Sequence, residues 1–206
     1  MPFDGDSTQT SRARLLAAGK QLFGRLGYEQ TSTATIARES GSSESQLIRY
    51  FGGKAGLLEA IFNESWDGLT DAIGQGVAAA MHGREAILNV LGLFAEAFSR
   101  DHDVAFLFMF EGRRIRGNEV VLSKGFLQFF ELICSLVRRA QEDGSFRSDI
   151  HEQVVASALL GAAEGMMRDR MIAERTGAPS PFDDAVIRRA FETVVNGFAV
   201  SSAVSS

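Results

Sequence analysis

The sequence predicts an all-α protein of about nine helices. Proline is almost absent (Pro2, Pro179 and Pro181), strict apolar/polar alternation is rare, and apolar residues recur at helical spacing along nearly the whole chain. The first helix is expected over residues 11–26, with Leu15, Ala18, Leu22 and Leu26 on one face and Phe23 beside them; Gly27 ends it, because glycine tolerates positive φ. Ser32 or Thr31 caps a short helix over residues 33–40, which Gly41 ends. Ser43, with Gln46 three places on, fits a capping box that opens another short helix, and Gly52-Gly53 closes it. Longer helices follow over residues 54–81, 84–100, 104–115 and 120–142. Asp149 with Glu152 fits a cap for a helix reaching residue 175. TGAPSP then breaks the chain, and Ser180, Pro181 and Asp183 mark the start of a last helix that ends near residue 201. Residues 1–10 read as a disordered arm and residues 202–206 as a frayed tail.

A chain of 206 residues can bury one good core, or one small and one larger domain. Its 45% hydrophobic and 23% charged residues fit an ordinary globular composition. The opening PFDGDSTQT has neither a basic start nor an apolar run, so no secretory signal is expected, and no apolar segment approaches the ~20 residues that span a bilayer. Cys134 is the only cysteine, which excludes an intrachain disulfide and makes a reducing cytoplasm the expected location. The net charge of -5 is unevenly placed. Residues 11–56 hold seven basic side chains against three acidic ones, so a basic block sits on an otherwise acidic chain. That pattern points to a local anionic partner.

The stretch IARESGSSESQLIRYF, residues 36–51, has helix-turn-helix spacing. Helices this short need tertiary packing, which Ile36, Ala37, Leu47 and Phe51 can supply. Ala37, four before Gly41, lets two helices approach; Leu47, six after it, plugs the corner. The second helix is then free to enter a major groove ~12 Å wide. Gln46 suits adenine, besides closing the capping box, and Arg49 suits guanine or phosphate. Ser43 and Ser45 are short enough for backbone amides to approach phosphate, and Lys54 suits a phosphate contact. Glu44 reads as a solvent-facing acid of the first helical turn rather than a cytosine reader.

Residues 11–58 carry, in order, RxxLLAA, LF, GYEQTS, TIA with Gly41, SxxxL, YF and Lys54. This succession resembles the N-terminal domain of the tetracycline-repressor (TetR) family of transcriptional regulators. The resemblance implies a three-helix DNA-binding domain over residues 11–53 and a larger helical-bundle domain for ligand binding and dimerisation over residues 54–201. It also implies a homodimer on a palindromic double-stranded DNA operator, a small-molecule effector, no cofactor, and DNA contacts from Thr33, Ser43, Gln46, Arg49, Tyr50 and Lys54. Three positions depart from the family pattern: Ser42 stands for the usual valine, Ser45 for a frequent glycine, and Ile48 for the usual tyrosine, whose loss removes a phosphate contact.

In the larger domain, Ala158, Gly161, Ala162 and Gly165 form a small-residue stripe that allows close helix approach. The last helix carries an apolar arc wider than one core contact needs, including Ile187, Phe191, Val194 and Phe198. These two helices are expected to pair with their copies in a four-helix dimer interface. Phe106, Met109, Phe110, Phe126, Phe129, Phe130, Met166 and Met167 are expected to line an apolar effector pocket, with Glu111, Arg113, Glu164 or Arg168 placing a polar group. Effector binding would shift the fourth helix and move the recognition helices off the ~34–36 Å groove spacing. Nothing recommends an enzyme: there is no phosphate loop, cysteine pair or nucleophile motif, and Asp101-His102-Asp103 reads as a helix start rather than a metal site. Cys134 reads as a buried small side chain. The competing reading is a helical small-molecule-binding dimer whose DNA domain has weakened, motivated by Ser42, Ser45 and Ile48.

Overall fold

The computed structural model describes residues 5–111, 113–116, 119–122 and 124–200, with side chains over residues 11–111 and 124–200. Nine helices and one hairpin follow one another among them: α1 (Gly5–Leu26), α2 (Thr33–Glu39), α3 (Glu44–Phe51), α4 (Lys54–Ala79), α5 (Gly83–Arg100), α6 (His102–Phe110), β1 (Arg113–Arg116), β2 (Glu119–Leu122), α7 (Lys124–Glu142), α8 (Glu152–Thr176) and α9 (Asp184–Asn196). The expected tail at residues 202–206 lies outside the described residues.

The all-α class holds, with four local corrections. α1 begins at Gly5, so residues 5–10 are helical rather than a disordered arm; extending an existing helix fixes one residue per hydrogen bond gained, which even weak helix formers tolerate. α6 stops at Phe110 and α7 starts at Lys124, and the antiparallel pair β1–β2 lies between them, with Arg113 opposite Leu122 and Arg116 opposite Glu119. Ile115, Val120 and Val121 flank Gly117-Asn118, a hairpin signal that helical periodicity overran. α8 is capped by His151, whose Nδ1 accepts from the Gln153 N–H at 3.2 Å. Asp149 instead takes a two-pronged ion pair from Arg147 at 2.6 and 2.5 Å. α9 is shorter than expected and opens on Asp183, whose carboxylate accepts from the Val186 N–H at 2.7 Å.

The chain divides into two compact units, Met1–Gly68 with Phe98–Phe126, and Leu69–Ala97 with Leu127–Ser206. This differs from the expected boundary at residue 53: the first part of α4, all of α6 and the hairpin go with the first unit. In that unit Leu15, Phe23, Ile36, Leu47, Leu57 and Leu107 are wholly buried in one core. α6 runs along α1 and is fastened at both ends. Lys20 donates to Asp101 at 2.7 Å, Asp101 caps α6 through the Val104 N–H at 3.0 Å, and Glu111 accepts from the Tyr28 N–H at 3.3 Å. Burial pushes the Asp101 carboxyl up, but the Lys20 ammonium and the Val104 N–H outweigh it and hold the group below its ordinary range. Between the fastenings, α1 presents Gly24, where any Cβ would collide with the Asp103 carboxylate.

The second unit has its own core, with Ile87, Val90, Ile133, Val137, Phe146, Val155, Leu159 and Val195 buried. Gly83 opens α5 against the backbone of Ala140, so a side chain there has no room, and its N–H donates to Asp143 at 2.6 Å. Arg139 donates to the Ala80 carbonyl at 2.8 Å, satisfying a group at the chain end of α4. α9 lies against α8 and buries Ile187, Phe191 and Val195. Arg170 pairs with Glu174 on its own helix at 2.8 Å and joins α8 to α9 through Asp184. Cys134 is buried; burial first, then nearby Glu152, pushes its thiol up, which suits an inert packing residue.

Candidate nucleic-acid interface

The site is assembled by local signals that each close one turn of chain. α1 ends at Gly27 with φ of 82°. The following loop is drawn in by Thr31, whose hydroxyl donates to the Leu22 and Gly27 carbonyls at 3.3 and 2.8 Å. Ser32 caps α2 by accepting from the Thr35 N–H at 3.1 Å. Gly41, at φ of 60°, turns the chain without the Cβ penalty other residues meet there. Ser43 and Gln46 then complete the reciprocal box: the Gln46 N–H donates to Ser43 Oγ at 3.2 Å, and the Ser43 N–H donates to Gln46 Oε1 at 2.9 Å. Gly52, at φ of 72°, caps the far end.

Leu47 anchors α3 by burying its whole side chain in the core of the first unit. With that face fixed, Glu44, Ser45, Ile48 and Arg49 are exposed. Their geometry is held from within the chain. Glu44 accepts from the Thr33 hydroxyl at 2.6 Å, which ties the first residue of α3 to the first residue of α2. Arg49 donates to the Tyr50 hydroxyl at 2.7 Å and lies over its ring at 4.7 Å, so its guanidinium is stacked before any partner arrives. Arg12 lies over the Phe51 ring at 5.3 Å, adding a cation from α1.

Six of the seven residues expected to meet DNA, namely Thr33, Ser43, Ser45, Gln46, Arg49 and Tyr50, sit on the start of α2 or on α3 and its cap. Lys54 has a different occupation. Its ammonium donates to the Tyr28 and Thr31 carbonyls at 2.9 and 3.0 Å and lies 4.3 Å from the Tyr28 ring centre. It therefore ties the base of α4 to the α1–α2 loop, a role with no local sequence signal, since its partners stand 26 and 23 residues away. The links from Thr33 to Glu44 and from Arg12 to Phe51 were likewise not legible in the sequence. Ser42, at the position where valine is usual, is a local flaw: its hydroxyl is buried and, among the described residues, meets no hydrogen-bond partner.

The residues expected to line an effector pocket are divided between the units. In the first, Phe106 and Phe110 are ring neighbours at 4.8 Å, Phe106 packs against the core, and Met109 and Phe126 are half-buried. In the second, Phe129 stacks on Phe94 at 3.9 Å, Phe130 and Met166 are half-buried, and Met167 is buried. Glu111 accepts from the Tyr28 N–H in the loop after α1, Glu164 and Arg168 are half-buried on α8, and the side chain of Arg113 lies outside the described residues. Of the residues expected at a dimer interface, Ile187 and Phe191 are buried within their own chain. Val194 and Phe198 are half-buried, the latter with its ring 6.1 Å from Phe146. Ala158 and Gly161 are exposed, Ala162 and Gly165 are half-buried, and a Cβ built on either glycine meets nothing within 4 Å. No group of three or more His, Cys, Asp or Glu that could hold a metal occurs among the described residues. No helix among them is long and apolar enough to cross a membrane.

Comparison with known proteins places this geometry. Residues 15–61 match the family model described as bacterial regulatory proteins, tetR family. The transcriptional repressor KstR2 of Rhodococcus jostii is 27% identical over 152 residues, covering 72% of this chain and 74% of that protein. The fatty acid degradation regulator FadR of Bacillus halodurans superposes with a TM-score of 0.74 at 17% identity, over 90% of this chain and 98% of that one. FadR of Bacillus subtilis, solved in complex with stearoyl-CoA, gives 0.74 at 14% identity with the same coverage, 90% and 98%.

Proposed function

We propose that the chain is a tetR-family repressor, a reading supported by the match of residues 15–61 to that family's model, and that it binds a palindromic operator as a homodimer and is released by a small, largely apolar effector. The observation that carries the reading is α3 itself. A capped two-turn helix is anchored by one wholly buried leucine and turns a pre-arranged set of polar and cationic groups outward. Arg49 is the proposed base or phosphate contact, Gln46 the proposed adenine contact through its amide, and Ser43, Ser45, Thr33 and Tyr50 the proposed phosphate-side contacts. Lys54 is proposed to shape the loop rather than to hold phosphate.

The proposed dimer contact is the open stripe of Ala158, Gly161, Ala162 and Gly165 on α8, extended by Val154 and Ile172, which are 60% and 49% exposed. Val194 and Phe198 join it from the end of α9, while Ile187 and Phe191 stiffen that helix from inside. The apolar effector is supported by the aromatic and methionine side chains of the second unit, where Phe129 stacks on Phe94, and an acyl chain is the favoured class because a structural neighbour was solved with stearoyl-CoA. Effector binding would move α4 and draw the recognition helices off the ~34–36 Å spacing; a coupling of ~1–3 kcal/mol would weaken operator binding about 5- to 150-fold.

Selection of bound duplexes from a random pool tests the reading, using purified protein without effector. An enriched inverted repeat, bound less tightly as salt rises because counterions are displaced, is the expected result. No enrichment at low salt from an intact dimer would overturn the repressor reading in favour of a helical ligand-binding protein.

A further inference from the structure

Ile48 is the residue of α3 that the polar reading does not use. It is 57% exposed, and among the described residues from 27 to 80 no other large apolar side chain is this open. At about 100° per residue, it falls on the arc between Glu44 and the pair Ser45 and Arg49, within the exposed face. Its polar neighbours are held in position from within the chain: Glu44 by Thr33, Gln46 by the capping box, Arg49 by the Tyr50 ring and hydroxyl. Isoleucine in a helix is nearly locked at χ1, so little freedom is lost when it is covered. A rigid apolar tip is therefore displayed from a fixed polar frame, where burying it gains the apolar surface now in water.

In a major groove the apolar group on offer is the C5 methyl of thymine. We propose that Ile48 packs on a thymine methyl in each half-site and is a specificity-determining residue of the interface. The proposal rests on the DNA-binding reading above. It gives a positive role to the position at which this chain departs from the tyrosine expected there: a contact to the backbone is exchanged for one that reads sequence.

The test replaces each thymine of the selected operator, symmetrically in both half-sites, by deoxyuridine, which lacks only the methyl group. Wild-type protein and Ile48→Ala are titrated on every duplex. At one symmetric pair of positions the wild type should lose about fourfold in affinity per half-site, as expected for one uncovered methyl group, and Ile48→Ala should bind the two duplexes equally. Indifference of the wild type at every thymine, or sensitivity retained by Ile48→Ala, would overturn the proposal while leaving the repressor reading intact. Failure to select any duplex would remove both. Because Ile48 is exposed, Ile48→Ala should unfold at the wild-type temperature, which circular dichroism checks.

Discussion

The outward faces of α3 and α8 are built on opposite plans. α3 displays Glu44, Ser45, Ile48 and Arg49, side chains with directional groups or a stiff tip. α8 displays Ala158 and Gly161, one methyl group and no side chain, between the exposed apolar side chains of Val154 and Ile172. Each face is left open by its own unit, yet the two suit different partners. Base edges are met by groups that extend from the backbone and carry donors, acceptors or a methyl-sized surface. A second helix is met best where the backbones can come close, since the distance between packed axes depends on the side chains at the contact.

Substitutions can separate the two plans. The largest effect is expected from Leu47→Ala, which empties a wholly buried site and should cost about 3 kcal/mol in denaturant unfolding, with loss of operator binding. A variant that unfolds normally would show that α3 is held by its caps and not by its anchor. Gly161→Leu should act on the other face alone. A Cβ there meets nothing within 4 Å in its own chain, so the monomer should keep its stability, while affinity of the proposed dimer, measured by sedimentation, should fall about thirtyfold. Next come two neighbouring serines with opposite signs. Ser43→Ala removes the hydroxyl that accepts from the Gln46 N–H, the Ser43 side-chain half of the capping box, and should lose about 1 kcal/mol. Ser42→Ala removes a buried hydroxyl with no partner and should gain about 1 kcal/mol, so a loss there would mean the hydroxyl is satisfied. The smallest effect concerns acid. Asp101 titrates below its ordinary range when folded, so its contribution is complete above the unfolded carboxylate range near pH 4 and is lost as pH falls through the depressed value. Both ends of its pair with Lys20 are partly exposed and screened, so the difference between wild type and Lys20→Met should stay under about 1 kcal/mol and vanish at low pH.

The helix-turn-helix was legible because its determinants are local. A serine three residues before a glutamine, a glycine at positive φ and a leucine at the corner lie within a few residues of what they control. The open stripe on α8 was legible for a similar reason, since small residues at helical spacing mark a face whatever surrounds it. The hairpin was missed because β-branched residues on either side of Gly117-Asn118 also satisfy a helical period over so short a window. The aromatic residues were over-gathered. Composition reports that Phe106 and Phe129 are large and apolar, but not that one packs into the core of the first unit while the other stacks on Phe94 in the second. Ile187 and Phe191 show the same limit, for an apolar arc on α9 does not say which part of it its own chain already covers.

Lys54 has a consequence for how the first unit opens. By binding the Tyr28 and Thr31 carbonyls, it fastens the end of a 27-residue segment to its beginning, and α2 and α3 lie inside the ring so formed. Two helices of seven and eight residues would fray separately if each hung on its own caps. Closed at the base and sharing Leu47 and Ile36 in one core, they instead form a single cooperative segment. Their amide hydrogens should exchange with solvent at a common rate, and Lys54→Ala should raise that rate in both helices together, in α2 as much as in the neighbouring α3.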